Sequence, residues 1–126
     1  MKYFLEPINL SEWFIFNEVC NFHFQESFLA TKEMEIGDML FLYVTNEDKE
    51  IPSGIYGNGI IISQPCLIYG ERRVDVIINY IRFDNPILNF DVCIKYIKQF
   101  RSVHRIDDEI VNELLNTQLK NIMIRE

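Results

Sequence analysis

The sequence predicts an α+β fold: a small, curved β-barrel of about five to six strands, with flanking short helices and a C-terminal amphipathic helix. Three observations predict this fold. The chain of 126 residues is long enough for one domain with a substantial core. Short apolar runs between turn-forming residues dominate its first two thirds, and the last third changes to helical periodicity. We therefore treat residues 1–126 as a single domain, in which residues 1–10 are an N-terminal extension that forms an added strand or an ordered tail.

Four apolar runs are expected to form strands. They are "WFIF" (13–16), "MLFLYVT" (39–45), "GIIIS" (59–63) and "RRVDVIINYIRF" (72–83). They are rich in β-branched and aromatic residues, and the last run partly alternates with period two. The pair Gly37–Asp38 predicts a turn before the second run, and "NEDKEIPSG" predicts a loop after it. The segment "NFHFQESFLATKEM" (21–34) fits either a short helix or an irregular loop.

Two segments of the last third have helical spacing. In "NFDVCIKYIKQF" (89–100), Asn89 or Asp91 can cap a short helix whose apolar residues share one face, leaving Lys95 and Lys98 more exposed. In "IDDEIVNELLNTQLKNIM" (106–123), three acidic residues precede an apolar stripe, which suits the dipole of a helix N-terminus. This second helix is expected to pack over the barrel or its open end.

Motifs for catalysis, metals and cofactors are weak. The glycines of "SGIYGNGI" precede a strand, whereas a phosphate-binding loop precedes a helix, so they predict a turn with close backbone approach. The three cysteines and two histidines are widely spaced and form no metal motif. We expect no enzyme activity, no metal and no cofactor. No apolar stretch resembles a signal peptide or a membrane span, so a cytoplasmic protein without membrane partners is expected.

The charge distribution is uneven. The formal net charge is −7, with 3 basic and 10 acidic residues in positions 1–65 and 9 of each in positions 66–126. Because affinity for a polyanion comes mainly from lysine and arginine, nucleic acid would have to meet the second half. The candidate phosphate contacts are Arg72, Arg73, Lys95, Lys98, Arg101 and Arg105.

Aromatic residues are abundant, with one Trp, six Tyr and ten Phe, and most should belong to the core. A few stand near strand ends or in loops, beside amides and hydroxyls. The aromatic members are Trp13, Phe22, Phe24, Tyr43 and Tyr56, and their polar neighbours are Asn17, Gln25, Thr45, Asn46 and Asn58. Flat faces beside hydrogen-bonding groups suit the recognition of an extruded nucleobase.

The order of these features resembles a known family, the EVE domain. The resemblance covers the chain after about Ser11: the Trp-led strand 13–17, the pair Phe24–Gln25, "IGDMLFLYVTN", the glycine-containing strand, "VDVIINYIRFDNPIL" and "QFRSVHRIDDEIVNELL". EVE domains belong to the PUA-like superfamily. Its relatives include the YTH readers of methylated adenine and the base-flipping domains of modification-dependent restriction systems.

The resemblance implies a PUA-like pseudo-barrel whose concave pocket binds a modified nucleobase, such as methylated cytosine or adenine, without catalysis. The pocket residues that it implies are Trp13, Asn17, Phe24, Gln25, Tyr43, Thr45 and Asn46. One departure concerns phosphate contacts: many members carry arginines around the aromatic–Gln pair, where this chain has Asn21, His23, Glu26 and Ser27.

The expected function is therefore recognition of a modified base in DNA or RNA, with a nuclease or another effector as a partner domain or protein. Two alternatives stay open. One is a protein-interaction or dimerisation module that has lost nucleic-acid binding. The other is a binder of a free modified nucleoside, which needs no phosphate contacts.

Overall fold

The computed structural model describes residues 1–8, 24–45, 52–81, 86 and 88–125. This part of the chain forms eight strands and two helices. In chain order they are β1 (Tyr3–Ile8), β2 (Phe24–Leu29), β3 (Met39–Val44), β4 (Gly54–Ile61), β5 (Cys66–Ile68), β6 (Glu71–Ile81), β7 (Leu88–Asn89), α1 (Phe90–Tyr96), β8 (His104–Ile106) and α2 (Asp108–Arg125). The α+β class is confirmed, with more strands than the five to six that the sequence predicts.

All eight strands belong to one mixed sheet with the order β2-β6-β4-β3-β1-β8. The short strands β5 and β7 pair with β6 and β4, respectively. β1 and β3 are parallel, and the other pairs are antiparallel. Within the described ranges no ladder joins β2 to β1 or β8, so the sheet is an open one and the closed barrel is not formed.

One face of the sheet is buried although no helix contributes to its core cluster. Its buried side chains contact one another and come from five strands and, for Met34, from the β2–β3 connection: Phe4, Ile8, Phe28, Met34, Leu40, Leu42, Val44, Tyr56, Ile61, Val74, Val76 and Ile78. A sheet can bury such a face against itself only by curling, so we call this the inner face. The arrangement is compatible with the strongly curved sheet that the sequence predicts.

The opposite, outer face packs against the two helices. Leu5, Phe41 and Ile55 of the strands join Cys93 of α1 and Val111 of α2 in a second apolar cluster. Both predicted helices are confirmed, and α2 lies over the outer face of the sheet. No helix in the described part of the chain is long and apolar enough to span a membrane.

Several local features follow directly from residue chemistry. The Asn89 side chain accepts a hydrogen bond from the Val92 amide at 3.0 Å and so caps α1 as predicted. Gly37 has a φ of +96°, and the Asp38 carboxylate accepts bonds from the Lys2 and Glu35 amides, both at 2.9 Å. The predicted Gly37–Asp38 turn therefore also ties the N-terminus to β3.

The glycine-rich run lies inside β4 and is followed by no helix, as expected. A Cβ on Gly59 would lie 2.5 Å from Val76 Cγ1 and 2.8 Å from the Ile77 carbonyl oxygen. The predicted close backbone approach is therefore present, between β4 and β6 rather than at a turn.

Two expectations concern the first part of the chain. Residues 3–8 form a strand paired with β3 and β8, which is the first of the two alternatives predicted for the N-terminal residues. The second expectation needs correction. Residues 24–29 form a strand paired with β6, where the sequence suggested a short helix or a loop. The predicted strand 13–16 lies outside the described residues.

Candidate functional site

Strand register defines two ends of the sheet, to which the predicted pocket residues can be related. Ile8, Val44 and Gly54 share one level across β1, β3 and β4, and Ile81 and Phe24 lie toward the same end of β6 and β2. We call this edge the loop end. The opposite edge, which contains Leu29 and Gly37, is called the turn end.

The predicted site residues belong to segments that start or finish at the loop end. Trp13 and Asn17 fall between Ile8 and Phe24, and Asn46 directly follows Thr45; these three lie outside the described residues. Phe24 and Gln25 open β2, and the Gln25 side chain is exposed. Ile8 and Thr45 are therefore side by side, whereas Phe24 pairs with Ile78 and lies level with Gly59 and Leu40.

Thr45 is the described residue with the strongest indication of an unfilled interaction. Its amide donates to the Ile8 carbonyl at 3.3 Å, which fixes the ends of β1 and β3 side by side. Its hydroxyl Oγ1 is buried and has no hydrogen-bond partner among the described residues. A buried hydroxyl without a partner costs about 1–3 kcal/mol, so this atom is an unsatisfied hydrogen-bonding group beside the loop end.

Tyr43 occupies a different environment from the one implied for it. Its side chain is only 3% exposed and lies on the outer face, where the ring stacks on Phe100 at a centroid distance of 4.6 Å. Burial raises the pKa of the phenol, and a hydrogen bond with Ser53 partly opposes that increase. In this arrangement Tyr43 serves the core, and its ring faces are not presented to a base.

Tyr56, another aromatic of the predicted set, is fully buried on the inner face. Its hydroxyl donates to the Pro52 carbonyl at 2.7 Å, and burial raises its pKa to about 12. It is the extra residue of a β-bulge in β4, since Leu42 pairs with Gly57 and Tyr43 pairs with Ile55. The bulge turns two neighbouring tyrosines to opposite faces of the sheet near the loop end.

The Arg73 side chain makes hydrogen bonds within the sheet at the turn end. Its guanidinium donates to the Ser27 hydroxyl at 2.9 Å, to the Ser27 carbonyl at 3.0 Å and to the Glu71 carboxylate at 2.9 Å. Eight residues of strand separate Arg73 from Ile81, which corresponds to roughly 26 Å. Arg73 therefore clamps β2 to β6, far from the loop end.

The other candidate phosphate contacts are spread over the second half. Arg72 faces Leu67 in the β5–β6 ladder, and Lys95 and Arg101 are exposed. Two of the six cations, Lys98 and Arg105, line one cavity, which has a volume of about 200 Å³ and lies between the end of α1, β8 and the start of α2. Its lining residues are Ile97, Lys98, Gln99, His104, Arg105, Ile106, Asp107 and Ile110.

Sequence reasoning missed Glu6. Although it is an acid in the middle of β1, its side chain is only 3% exposed on the inner face of the sheet. The Leu29 amide donates a hydrogen bond to the carboxyl, while atom Oε2 has no partner among the described residues. Desolvation raises the pKa of Glu6 to about 9, against smaller opposing effects of Arg73 and the Leu29 amide. The feature of the sequence that could have drawn attention to Glu6 is a single acidic residue among the apolar residues of "YFLEPI".

Comparison with known proteins defines the fold only. No family model and no curated protein match the chain. The crystal structure of PSPTO5229 from Pseudomonas syringae is similar with a TM-score of 0.65 and 15% identity, over 92% of this chain and 99% of that one. The crystal structure of a protein from Pseudomonas putida has a TM-score of 0.61 and 14% identity, over 92% of this chain and 99% of that one. The NMR structure of Rpa0253 from Rhodopseudomonas palustris has a TM-score of 0.57 and 19% identity, over 94% of this chain and 93% of that one.

Proposed function

We propose that this chain is a non-catalytic, PUA-like recognition domain of the EVE type. It binds a modified nucleobase, such as methylated cytosine or adenine, in DNA or RNA at the loop end. The observation that carries the proposal is the buried Thr45 hydroxyl, which lacks a partner among the described residues. The edge of an extruded base supplies hydrogen-bonding groups that this hydroxyl can meet.

Two further points support the proposal. The order of sequence motifs resembles that of the EVE family over most of the chain. The chain positions of Trp13, Asn17, Thr45 and Asn46 follow Ile8 and Val44, which pair at the same end of β1 and β3. Residues distant in sequence thus have attachment points close enough to contribute to one pocket.

The charges favour base contacts over phosphate contacts. The net charge is −7, and Arg73 already donates to Ser27 and Glu71. A protein that neutralises two phosphates of a duplex has a salt slope of about −1.8, so its affinity falls roughly tenfold between 50 and 200 mM salt. We expect a slope this shallow, because affinity comes mainly from stacking and from hydrogen bonds to the base.

The same charges favour a second candidate, a free modified nucleoside. This ligand needs no cationic contacts, so the engaged Arg73 and the dispersed lysines do not count against it. The two candidates use the same pocket and differ only in whether the polymer adds affinity.

Fluorescence anisotropy tests the proposal. The protein is titrated into matched labelled oligonucleotides with and without methylated cytosine or adenine, across a salt series, and competed with the free methylated nucleosides. Thr45→Val removes the unpartnered hydroxyl and keeps the side-chain shape. Thr31→Val is a matched control, because the Thr31 hydroxyl is also buried without a described partner but follows β2 at the turn end.

We expect modification-dependent binding that weakens about three- to tenfold in Thr45→Val, the effect of losing one hydrogen bond, and is unchanged in Thr31→Val. Competition by the nucleoside alone at equal affinity would favour the second candidate. Absence of binding to every strand and nucleoside at low salt would refute both and favour the interaction module.

A further inference from the structure

β5 has an edge without a strand partner among the described residues, since it pairs only with β6. β2 and β8, which end the path of the sheet, have such edges as well, but charged residues lie along them. The Glu26 carboxylate of β2 accepts a hydrogen bond from the Ser27 amide at 3.3 Å, and Arg105 is the middle residue of β8. Charged side chains commonly protect an edge strand against pairing with another chain. The sequence of β5, "CLI", contains no charge.

The turn between β5 and β6 determines which backbone groups face this edge. Tyr69 and Gly70 have φ values of +51° and +83°, as in the two-residue turn that is favoured in hairpins. Such a turn closes on a pair of residues that exchange both backbone hydrogen bonds, which here is Ile68 with Glu71. Because hydrogen-bonded and non-hydrogen-bonded pairs alternate along antiparallel strands, the next pair is a non-hydrogen-bonded one.

That next pair is Leu67 with Arg72, and a second contact supports this assignment. The Arg72 carbonyl accepts a hydrogen bond from the Ala30 amide at 2.8 Å, so it points away from β5. The amide and the carbonyl of Leu67 therefore both point to the free edge of β5. One residue thus presents a donor and an acceptor to an incoming strand.

Exposed apolar side chains surround this edge. Two hydrogen bonds bring their segments together: the Gly37 amide donates to the Ile61 carbonyl at 2.8 Å, and the Ile62 amide donates to the Asp75 carbonyl of β6 at 2.9 Å. We call the large apolar side chains that are exposed here the turn-end patch: Leu29, Ile36, Ile62, Leu67, Ile68 and Tyr69.

The size of the turn-end patch fits one side of a dimer. Leu29 pairs with Arg73 from one side and Cys66 pairs with it from the other, so the patch continues across β6. Its side chains are 38% to 103% exposed, which leaves roughly 500–700 Å² of apolar surface. A stable interface buries about 800 Å² on each partner, and roughly two thirds of a homodimer interface is apolar. The patch therefore supplies the apolar area that one copy contributes to a dimer.

The charge distribution favours a second copy of this chain as the occupant. In a twofold contact each group near the axis meets its own copy, so a charged group there would be repelled. Residues 51–70, which include four of the six patch residues, contain no charge, although the chain has a net charge of −7. Glu71 and Arg73, which follow, form an ion pair at 2.9 Å and balance each other. Two acidic chains can therefore meet here without like charges at the axis.

We propose that two copies of this chain associate through β5, which pairs antiparallel with β5 of the second copy about a twofold axis at Leu67. The Leu67 amide of each copy donates to the Leu67 carbonyl of the other, so the two sheets continue across the interface. Such an isologous contact is complete with two copies. The inference does not rest on the proposed function, since Thr45 lies at the opposite edge of the sheet.

Sedimentation equilibrium of the full chain between about 1 and 500 μM tests the association. Leu67→Lys places two ammonium groups against each other at the axis and, because Leu67 is 68% exposed, leaves the core intact. Ile94→Lys is the matched control, since it makes the same kind of change at a 45% exposed residue of α1, outside the turn-end patch. Circular dichroism and the melting temperature verify that both variants fold.

We expect the wild-type protein to reach twice the chain mass of 15.1 kDa within this range. Leu67→Lys should weaken the dimer at least about tenfold, and Ile94→Lys should change its dissociation constant less than about twofold. A monomer at every concentration, a dimer that Leu67→Lys leaves intact, or a dimer that Ile94→Lys weakens equally would overturn the inference.

Amide hydrogen exchange of the wild-type dimer, recorded by NMR, tests whether the contact is a strand pairing. In the dimer the Leu67 amide should exchange at least about tenfold more slowly than an exposed amide, as the Ile68 amide does within the hairpin. A Leu67 amide that exchanges as fast as an exposed one in the dimer would refute pairing through β5, wherever else the two copies meet.

Discussion

Glu6 makes the free energy of unfolding depend on pH in a way that a single substitution can isolate. Its folded pKa is about 9, against an ordinary value of 4.5. Below pH 4.5 the carboxyl is protonated in both states and adds no pH dependence. Between pH 4.5 and 9 the unfolded chain ionises while the folded protein keeps the proton, so stability falls as pH rises, by about 1.4 kcal/mol per pH unit. Above pH 9 both states are ionised and the fall ends.

The substitution Glu6→Gln removes this titration and keeps a similar shape. At pH 7 the free energy of unfolding of the wild-type protein is lower by about 3.5 kcal/mol through Glu6 than with a permanently neutral side chain, from 2.5 pH units at about 1.4 kcal/mol each. We therefore expect Glu6→Gln to be nearly neutral at pH 5 and progressively more stable than wild type toward pH 8.

Urea unfolding followed by far-UV circular dichroism at pH 5, 6, 7 and 8 measures the difference between the two proteins. Taking the difference cancels the other titrating groups. Glu33→Gln is the control, since its side chain is 59% exposed and its carboxylate lies 3.8 Å from Arg105. A stability difference between Glu6→Gln and wild type that stays flat across this range would refute the assignment of a buried, neutral carboxyl.

Two further predictions concern glycine and turn positions. Gly59→Ala should lower the free energy of unfolding by about 1–3 kcal/mol in urea denaturation, because the new methyl group would meet Val76 Cγ1 and the Ile77 carbonyl. Gly70→Ala is the comparison variant: its methyl group would meet no atom, and its only strain comes from the φ of +83° at that position. Tyr69→Asn should raise the melting temperature by an amount equivalent to about 1 kcal/mol, because Tyr69 has a φ of +51° in the β5–β6 turn, a conformation that Asn adopts more readily, and its side chain is fully exposed. An unchanged melting temperature would mean that the Tyr69 ring itself stabilises the hairpin.

The elements that the sequence predicts well are those whose pattern is local. β3 and β6 are long apolar or alternating runs, and α1 and α2 have caps or acidic first turns together with helical spacing. β1 is harder to recognise because Glu6 and Pro7 interrupt its apolar run. β2 has no clear pattern of its own, and its strand conformation depends on pairing with β6.

In the candidate site, too, features set by local sequence are predictable and features set by tertiary packing are not. Thr45 directly follows β3, which the local apolar run of that strand predicts. The burial of Tyr43 could not be foreseen from its position at a strand end. Alternation places Tyr43 and Val44 on opposite faces, but only the packing of Phe100 and the helices decides which face is covered.

Buried polar groups connect the stability of this protein with its proposed function. Glu6, Thr31 and Thr45 each keep one buried oxygen without a partner among the described residues. Leucine or valine at these positions would avoid a cost of about 1–3 kcal/mol each. For Thr31, at the turn end, nothing in the structure explains the cost. Thr45 stands at the loop end, and Glu6 lies on β1, which ends there, so both costs fall on elements that would shape a pocket. A fold that sacrifices stability at such positions is typical of one arranged around a ligand.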